Sequence, residues 1–180
     1  MNSVTTEIGG DRATAADAAP AALRDVMARF ATGVTVLSTG GDHLHGMTAN
    51  AFTSVSLDPP SVLCCVGHSA VMHEAITAAG HFGVSIMEAA QEDVVRFFAD
   101  KKRPLGPAQF AQIEWAPGPR TGAPLLTGAL AWLECDLSAA HSFGDHSIFV
   151  GQVVEARLGS GQDGLLFYDG AFQRAVARSA

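Results

Sequence analysis

The sequence predicts a mainly β protein with flanking helices, in which an antiparallel sheet closes into a small barrel. Strand patterns outnumber helical ones along the chain, and short turns join most successive strands. Such an order favours an antiparallel sheet over alternating βαβ units. Closure into a barrel would leave no exposed edge strand. The 180 residues, 48% of them hydrophobic, suffice for one domain with one core.

The composition excludes several classes of protein. A formal net charge of −7 argues against sequence-independent binding to nucleic acid phosphates. The low charged fraction, 16%, points to a buried subunit interface. Three cysteines, two of them adjacent, do not form the framework of a secreted disulfide protein. Since no apolar run approaches the roughly 20 residues of a membrane span, we expect a cytoplasmic protein without membrane or nucleic acid partners.

The N-terminal segment divides into a tail and a first helix. Residues 1–20 lack a basic start and a continuous apolar stretch, so we expect a disordered tail rather than a signal peptide. The folded domain then covers residues 21–175. A helix is expected over residues 20–31, because apolar residues recur there at i, i+3, i+4 and i+7. These residues are Leu23, Val26, Met27 and Phe30.

The next segments follow a period of two. Residues 34–39 predict a strand that ends at the turn signal of residues 40–42. Residues 47–57, rich in small and β-branched side chains, predict one further strand. The prolines of residues 58–60 stop it, since proline cannot continue a central strand. Residues 61–66 then predict a fully buried strand.

Two helices interrupt the later strands. The first covers residues 70–79, with Ser69 as its N-cap. The second covers residues 91–100 and has acidic residues in its first turn. Three basic residues just past its end also favour the helix dipole, namely Lys101, Lys102 and Arg103. A long loop is expected over residues 104–124, and strands over residues 82–87, 128–137, 147–158 and 165–168.

Two motifs are interpreted as structural. Gly159, Gly161 and Gly164 match the G-x-G-x-x-G dinucleotide fingerprint, but a strand pattern follows where the fingerprint requires a helix. We therefore expect a hairpin loop. His43 and His45 share one side of an extended segment, yet no further ligands at a defined spacing accompany them. No metal site is predicted.

Nucleophilic catalysis is also disfavoured. Cys64 and Cys65 are adjacent and so point to opposite faces of a strand, which rules out a joint metal or redox site. Ser142 and Asp145 lie near histidines, but the nucleophile elbow G-x-S-x-G is absent from the sequence.

Residues 46–60 combine hydroxyls, an amide and small side chains on one extended segment. Small side chains let a flat ligand approach the backbone, and Thr48, Asn50 and Ser54 add directional hydrogen bonds. A tightly packed barrel strand would have the same composition. From the residues alone, the two interpretations remain open.

Three segments in this order resemble the short-chain flavin reductases that serve two-component monooxygenases. They are residues 30–37 (FATGVTVL), 46–60 (GMTANAFTSVSLDPP) and 144–153 (GDHSIFVGQV). The similarity runs from about Leu23 to Phe172. It implies an antiparallel split β-barrel of the FMN-binding type, and a homodimer.

The resemblance also implies the site residues. Thr48, Ala49 and Asn50 would line the isoalloxazine, and His146 of the Gly-Asp-His motif would contact the nicotinamide nucleotide. His68 and Ser69 would lie near the flavin phosphate, with Arg96 and Lys101 or Lys102 to neutralise its charge. The remaining residues implied at the flavin site are Met47, Ala51, Phe52, Thr53, Ser54, Cys64, Cys65, Val66 and Asp145.

The implied function is an NAD(P)H:flavin oxidoreductase. It would transfer a hydride from NADH, or from NADPH, to FMN or FAD and supply reduced flavin to a partner monooxygenase. The hydride passes between two cofactors, so a catalytic triad is not needed. The alternatives are a non-catalytic FMN-binding electron carrier and a flavin-dependent oxidase or oxygenase that acts directly on an organic substrate.

Overall fold

The computed structural model describes residues 20–176. Most of the predicted tail, residues 1–19, lies outside them. The first helix, α1, covers Pro20–Met27 and is shorter than expected. None of its residues is buried: Leu23, Val26 and Met27 are more than half exposed, as is Phe30 just beyond the helix. The apolar stripe predicted from the sequence therefore exists but faces away from the core.

The rest of the chain is mostly strand, with two further helices. The helices are α2 (Val71–Ala79) and α3 (Glu92–Ala99). The strands, in chain order, are β1 (Thr32–Gly33), β2 (Thr35–Thr39), β3 (His45–Ala49), β4 (Phe52–Leu57), β5 (Pro60–Gly67), β6 (His81–Ile86), β7 (Trp115–Pro117), β8 (Pro124–Leu126), β9 (Ala131–Phe143), β10 (His146–Leu158), β11 (Gly164–Tyr168) and β12 (Ala171–Ala175).

Seven strands form the main antiparallel sheet, in the order β3-β2-β6-β9-β10-β5-β4. The prediction of a mainly β protein with an antiparallel sheet and flanking helices is confirmed. The ladder begins at β3 and ends at β4, so the expected barrel is not closed by hydrogen bonds between these two strands. Smaller sheets are β1-β11-β12 and β7-β8.

Two hydrophobic clusters hold the fold together. The first lies between the main sheet and α2, and it includes Phe82, Phe149 and Ile76, all completely buried. The second lies beneath α3, where Phe98 packs against Phe110 with ring centroids 5.4 Å apart. Burying side chains of this size supplies most of the stabilisation of such a core, about 1.5–3 kcal/mol for each. Of the described helices, none is long and apolar enough to cross a membrane.

Two strand predictions were wrong in detail. Residues 47–57 form two strands rather than one, interrupted at Asn50 and Ala51. The break arises because β3 pairs with β2 at one end of the sheet, whereas β4 pairs with β5 at the other. Strand β5 is not fully buried: its residues alternate between buried and half-buried. Only one of its faces packs against the core, as is common in antiparallel sheets.

Helix boundaries and the long loop also differ from expectation. Helix α2 begins after Ala70, which is its N-cap, so Ser69 does not cap it. A 3-10 turn over Ala89–Gln91 precedes α3 and is fixed by a capping box. The predicted loop contains a 3-10 segment, Gly106–Phe110, and the strand β7, and β8 begins at its last residue. Strand β12 had no strand prediction.

Candidate functional site

A cleft of about 370 Å³ opens between β3 and the end of α3. Strand β3 supplies Met47 and Thr48, and Phe98 and Ala99 form the opposite wall. The Thr48 Oγ1 donates a hydrogen bond of 2.7 Å to the carbonyl of Val95 in α3. This bond ties the strand to the helix and sets the width of the cleft. Other lining residues are His45, Ser69, Ala70, Val71, Lys101, Arg103 and Leu105.

A second cavity, about 170 Å³ in volume, adjoins the cleft because both contain Thr48 and Ala99. It continues past Asn50 to the aromatic side chains of Phe167 and Phe172. The exposed Asn50 amide donates a 3.2 Å hydrogen bond from Nδ2 to the Thr32 hydroxyl. The two cavities together form a trough along β3, lined by Met47, Thr48 and Asn50 and by the aromatic side chains of Phe98, Phe167 and Phe172. We call it the β3 trough.

One end of the β3 trough is positively charged. Lys101 and Arg103 both line it there, and Ser69 lines the same cavity. The Arg103 guanidinium donates from Nη2 to the Gly46 carbonyl at 2.7 Å and from Nη1 to the Asp100 carbonyl at 2.8 Å. Its Nε is buried. Backbone contacts thus fix the guanidinium, and its Nε–H has no partner among the described residues.

Buried polar groups support β3 from behind. Gln109 accepts a hydrogen bond from the Gly46 amide and contacts His45 Nδ1, both at 2.8 Å. The other ring nitrogen of His45 lies 3.2 Å from Arg103 Nη2. Burial, together with the Arg103 charge, lowers the pKa of His45 to about 4. The ring is therefore neutral at physiological pH, and both of its nitrogens are engaged within the protein.

A second polar group lies at the turn between β9 and β10. The turn contains Gly144 at a φ of 59°, a conformation that favours glycine. The next residue, Asp145, accepts a hydrogen bond of 2.7 Å from His146 Nδ1. This bond and the charge on the imidazole lower the pKa of the Asp145 carboxyl. Both side chains are exposed, by 94% for Asp145 and 52% for His146.

His68 and His73 meet at one hydroxyl on the other face of β10. Their Nε2 atoms lie 3.2 and 2.8 Å from Ser147 Oγ. Burial, and next the neighbouring His68, lower the pKa of His73. The His68 amide also donates to the Asp145 carbonyl at 2.9 Å. These contacts fix the end of β5 and the start of α2 to the β9-β10 turn.

The structure does not bring every implied residue to the trough. Arg96 is paired with Glu92 at 2.6 Å and lies over the Phe172 ring, 4.8 Å from its centroid. The side chains of Cys64 and Val66 are buried in the first core cluster. Burial is also the main cause that raises the pKa of the Cys64 thiol to about 12. Thr53, Ser54 and Lys102 are exposed and line none of the cavities described above.

Arg103 and Phe98 line the trough but were not among the site residues expected from the sequence. The sequence did carry a signal for Arg103, because it follows Lys101 and Lys102 directly after a helix. From the sequence, Arg103 has a role at the helix dipole only, whereas Lys101 or Lys102 is also expected at the flavin phosphate. Arg103 instead folds back against β3.

Comparison with known proteins places these features in context. A family model described as "Flavin reductase like domain" matches residues 27–175. An NADH-dependent FAD reductase of Streptomyces globisporus is 51% identical over 152 residues, which is 84% of each chain. The reductase subunit HsaB of a flavin-dependent monooxygenase from Rhodococcus jostii is 35% identical over 93% of this chain and 84% of its own.

A solved structure agrees in fold as well as in sequence. BorF, the flavin reductase component of a bacterial two-component tryptophan halogenase, superposes with a TM-score of 0.84 at 49% identity. The match covers 88% of this chain and 99% of that one. With the family model spanning the whole β domain, this chain belongs to the flavin reductase-like family.

Proposed function

We propose that this protein is an NADH-dependent flavin reductase that transfers a hydride to FAD or FMN and supplies the reduced flavin to a partner monooxygenase. The observation that carries the proposal is the β3 trough. It is lined by residues of the segment that resembles the flavin-binding stretch of the family, and it has a cationic end and an amide-bearing end. The names of the relatives, an NADH-dependent FAD reductase among them, support NADH and FAD as the first pair to test.

The trough suits a flavin in shape and in charge. Lys101, Arg103 and the Ser69 hydroxyl would hold the phosphate end, where the two cations would neutralise its charge. Asn50 would hydrogen-bond the ring system, against the aromatic wall of Phe167 and Phe172. The flavin itself supplies the hydride acceptor when it is bound. The Thr48 hydroxyl, committed to Val95, would act by fixing the strand.

His146 and Asp145 would serve the nicotinamide nucleotide. The Asp145 carboxylate can only accept a hydrogen bond, so it requires the proton on His146 Nδ1 and fixes the orientation of the ring. The imidazole edge that carries Nε2 is then available to a ligand. The role of these residues is to bind and orient, since hydride transfer between two held rings depends chiefly on their alignment.

A homodimer is part of the proposal. The apolar stripe of α1 and Phe30 is exposed in the single chain, which is costly unless another surface covers it. A second copy of the chain would be that surface. Light scattering of the purified protein should give twice the mass of one chain, and a monomeric mass would contradict the dimer.

Steady-state oxidation of NADH and NADPH, with and without added FAD or FMN, tests the function. We expect fast turnover with NADH only when free flavin is present, because the flavin would act as a diffusible substrate. Binding of flavin without turnover of either nucleotide would favour the electron carrier instead. Flavin-stimulated oxygenation by an added partner oxygenase would test the supply of reduced flavin.

A further inference from the structure

A third cavity, about 200 Å³ in volume, continues the β3 trough beyond its cationic end. Val71 and Leu105 line both this cavity and the wider part of the trough, so the two spaces meet at these side chains. The chain just before β3 supplies Asp42 and Leu44 to the wall, and α2 supplies Glu74. We call this cavity the α2 pocket.

The three cavities follow one another in the order of the chain along β3. Asn50 lines the ring end of the trough, Thr48 lines its middle, and Leu44 lines the α2 pocket. FAD has its parts in the same linear order, with the isoalloxazine first, the pyrophosphate next and the adenosine last. A flavin with its ring at Asn50 and its phosphate at the cationic end would therefore extend any further group into the α2 pocket.

The α2 pocket is apolar where it joins the trough. Val71 is 49% exposed and Leu105 is 60% exposed, although both are large apolar side chains. Leu44, which is half-buried, and Ala75, which is buried, add to the same apolar lining. Exposed apolar side chains around a concave surface are typical of ligand-binding grooves. A flat, weakly polar ring such as adenine would cover them.

Two carboxylates give the α2 pocket its polar character. Asp42 and Glu74 are both exposed, and neither is paired with a cation within residues 20–176. An ionised carboxylate only accepts hydrogen bonds. The adenine amino group and the ribose hydroxyls are donors, and a carboxylate binds the ribose hydroxyl in many dinucleotide sites. A further phosphate would be repelled here, so the lining fits an adenosine.

We propose that the α2 pocket is the subsite for the adenosine of FAD, and that it makes this protein select FAD over FMN. The inference rests on the proposed function, because it requires the flavin ring and phosphate to lie in the β3 trough. FMN ends at its phosphate and does not reach the pocket, so contacts made there add to the affinity of FAD alone.

The first measurement is the affinity of the protein for each flavin. Calorimetric titration with FAD and with FMN gives both dissociation constants without any turnover. We expect FAD to bind at least about 10-fold more tightly than FMN, because even one small apolar group in a pocket changes affinity by this order. Equal affinity for the two flavins would overturn the inference, although reduction of either one by NADH would leave the proposed function standing.

Glu74→Trp tests the position of the adenosine. Glu74 is exposed on α2 and lines the α2 pocket but not the trough, so an indole there would fill the pocket. We expect the dissociation constant for FAD to rise about 10-fold and that for FMN to stay within about 2-fold. Ala78→Trp is the matched control, since Ala78 is exposed one turn later on the same helix and lines none of the three cavities. It should bind both flavins like the wild type.

NADH also contains an adenosine, so the test must distinguish the two sources. The KM for NADH, measured with FMN as the acceptor, should stay within about 2-fold in Glu74→Trp. A raised KM for NADH with unchanged FAD binding would assign the pocket to NADH and overturn the inference. Selective loss of FAD binding in Glu74→Trp, with a wild type that oxidises no NADH, would uphold the inference while the proposed function falls.

Discussion

The β3 trough and the β9-β10 turn are built in opposite ways. Behind the trough, His45 is 3% exposed and Gln109 is 1% exposed, and each is hydrogen-bonded to groups on other segments. At the turn, Asp145 and His146 are largely exposed, and the hydrogen bond between them joins adjacent residues. The β3 trough is fixed by contacts with buried residues, whereas the β9-β10 turn is exposed to solvent.

The difference matches what each region is proposed to bind. A flavin held along β3 needs a rigid wall, since misalignment of the rings by about 1 Å can cost 100-fold in rate. A nucleotide that enters and leaves in every cycle needs an accessible edge. Substitutions behind the trough should therefore change stability as well as flavin binding, whereas substitutions at the turn should change nucleotide kinetics alone.

The largest expected effect concerns His45 and pH. Its pKa of about 4 in the folded protein is below the ordinary value of 6.5, so between these two values the unfolded chain binds more protons. The contribution of neutral His45 to the free energy of unfolding should be fully present above pH 6.5. It should fall by up to about 3 kcal/mol as the pH decreases to 4. Urea unfolding at several pH values would measure this fall, and His45→Gln should remove it.

His141→Gln is the matched control, because His141 is an exposed histidine in β9. It should keep the full pH dependence of the wild type. If His45→Gln and the wild type lose stability in parallel, burial of His45 does not set the pH dependence.

Arg103→Ala should be the next largest change. It removes two hydrogen bonds to backbone carbonyls and leaves the Gly46 carbonyl without its partner. We expect a loss of about 2 kcal/mol in unfolding free energy, together with weaker flavin binding. Lys102→Ala, an exposed cation one residue earlier, should leave stability unchanged. Equal stability of Arg103→Ala and Lys102→Ala would contradict the rigid wall.

His146→Ala should separate the two regions by kinetics. We expect kcat/KM for NADH to fall by about 10-fold, as for the loss of one hydrogen bond to a substrate, with flavin affinity retained. His141→Ala, exposed in the partner strand of the same hairpin, serves as the control and should behave like the wild type. Equal losses of NADH turnover and flavin binding would place His146 at the flavin instead.

Asn50→Ala should have the smallest effect, on flavin alone. Removal of the amide should weaken FAD binding by about 5-fold, while unfolding free energy changes little because Asn50 is exposed. Gln152→Ala removes an exposed amide from β10 and should leave FAD binding as it is. An unchanged FAD dissociation constant in Asn50→Ala would remove Asn50 from the site.

The sequence was sufficient for the family and for the fold class. The period-two segments and the ordered motifs depend on neighbouring residues, so they can be read directly, and both conclusions are confirmed. The break of the strand at Asn50 could not be read, since it depends on which distant strand each half pairs with. No pattern of neighbouring residues indicates which strand each half will pair with.

The contacts that support the site could not be predicted from the sequence for the same reason. His73 and Ser147 are 74 positions apart, and Arg103 and His45 are 58 apart. Each of these side chains is unremarkable in its own segment. The assignment of flavin and nucleotide to particular residues came from the resemblance, and it remains a prediction for the experiments above.

The alternation of side chains along β10 limits which insertions and deletions the strand can tolerate. His146 projects outward while Ser147, the next residue, projects inward to the two histidines. Because side chains alternate with a period of two, the loss of a single residue between the turn and the sheet would exchange these two roles. A viable insertion or deletion here must then come in pairs, or be absorbed by a bulge such as the one at Val150 and Gly151.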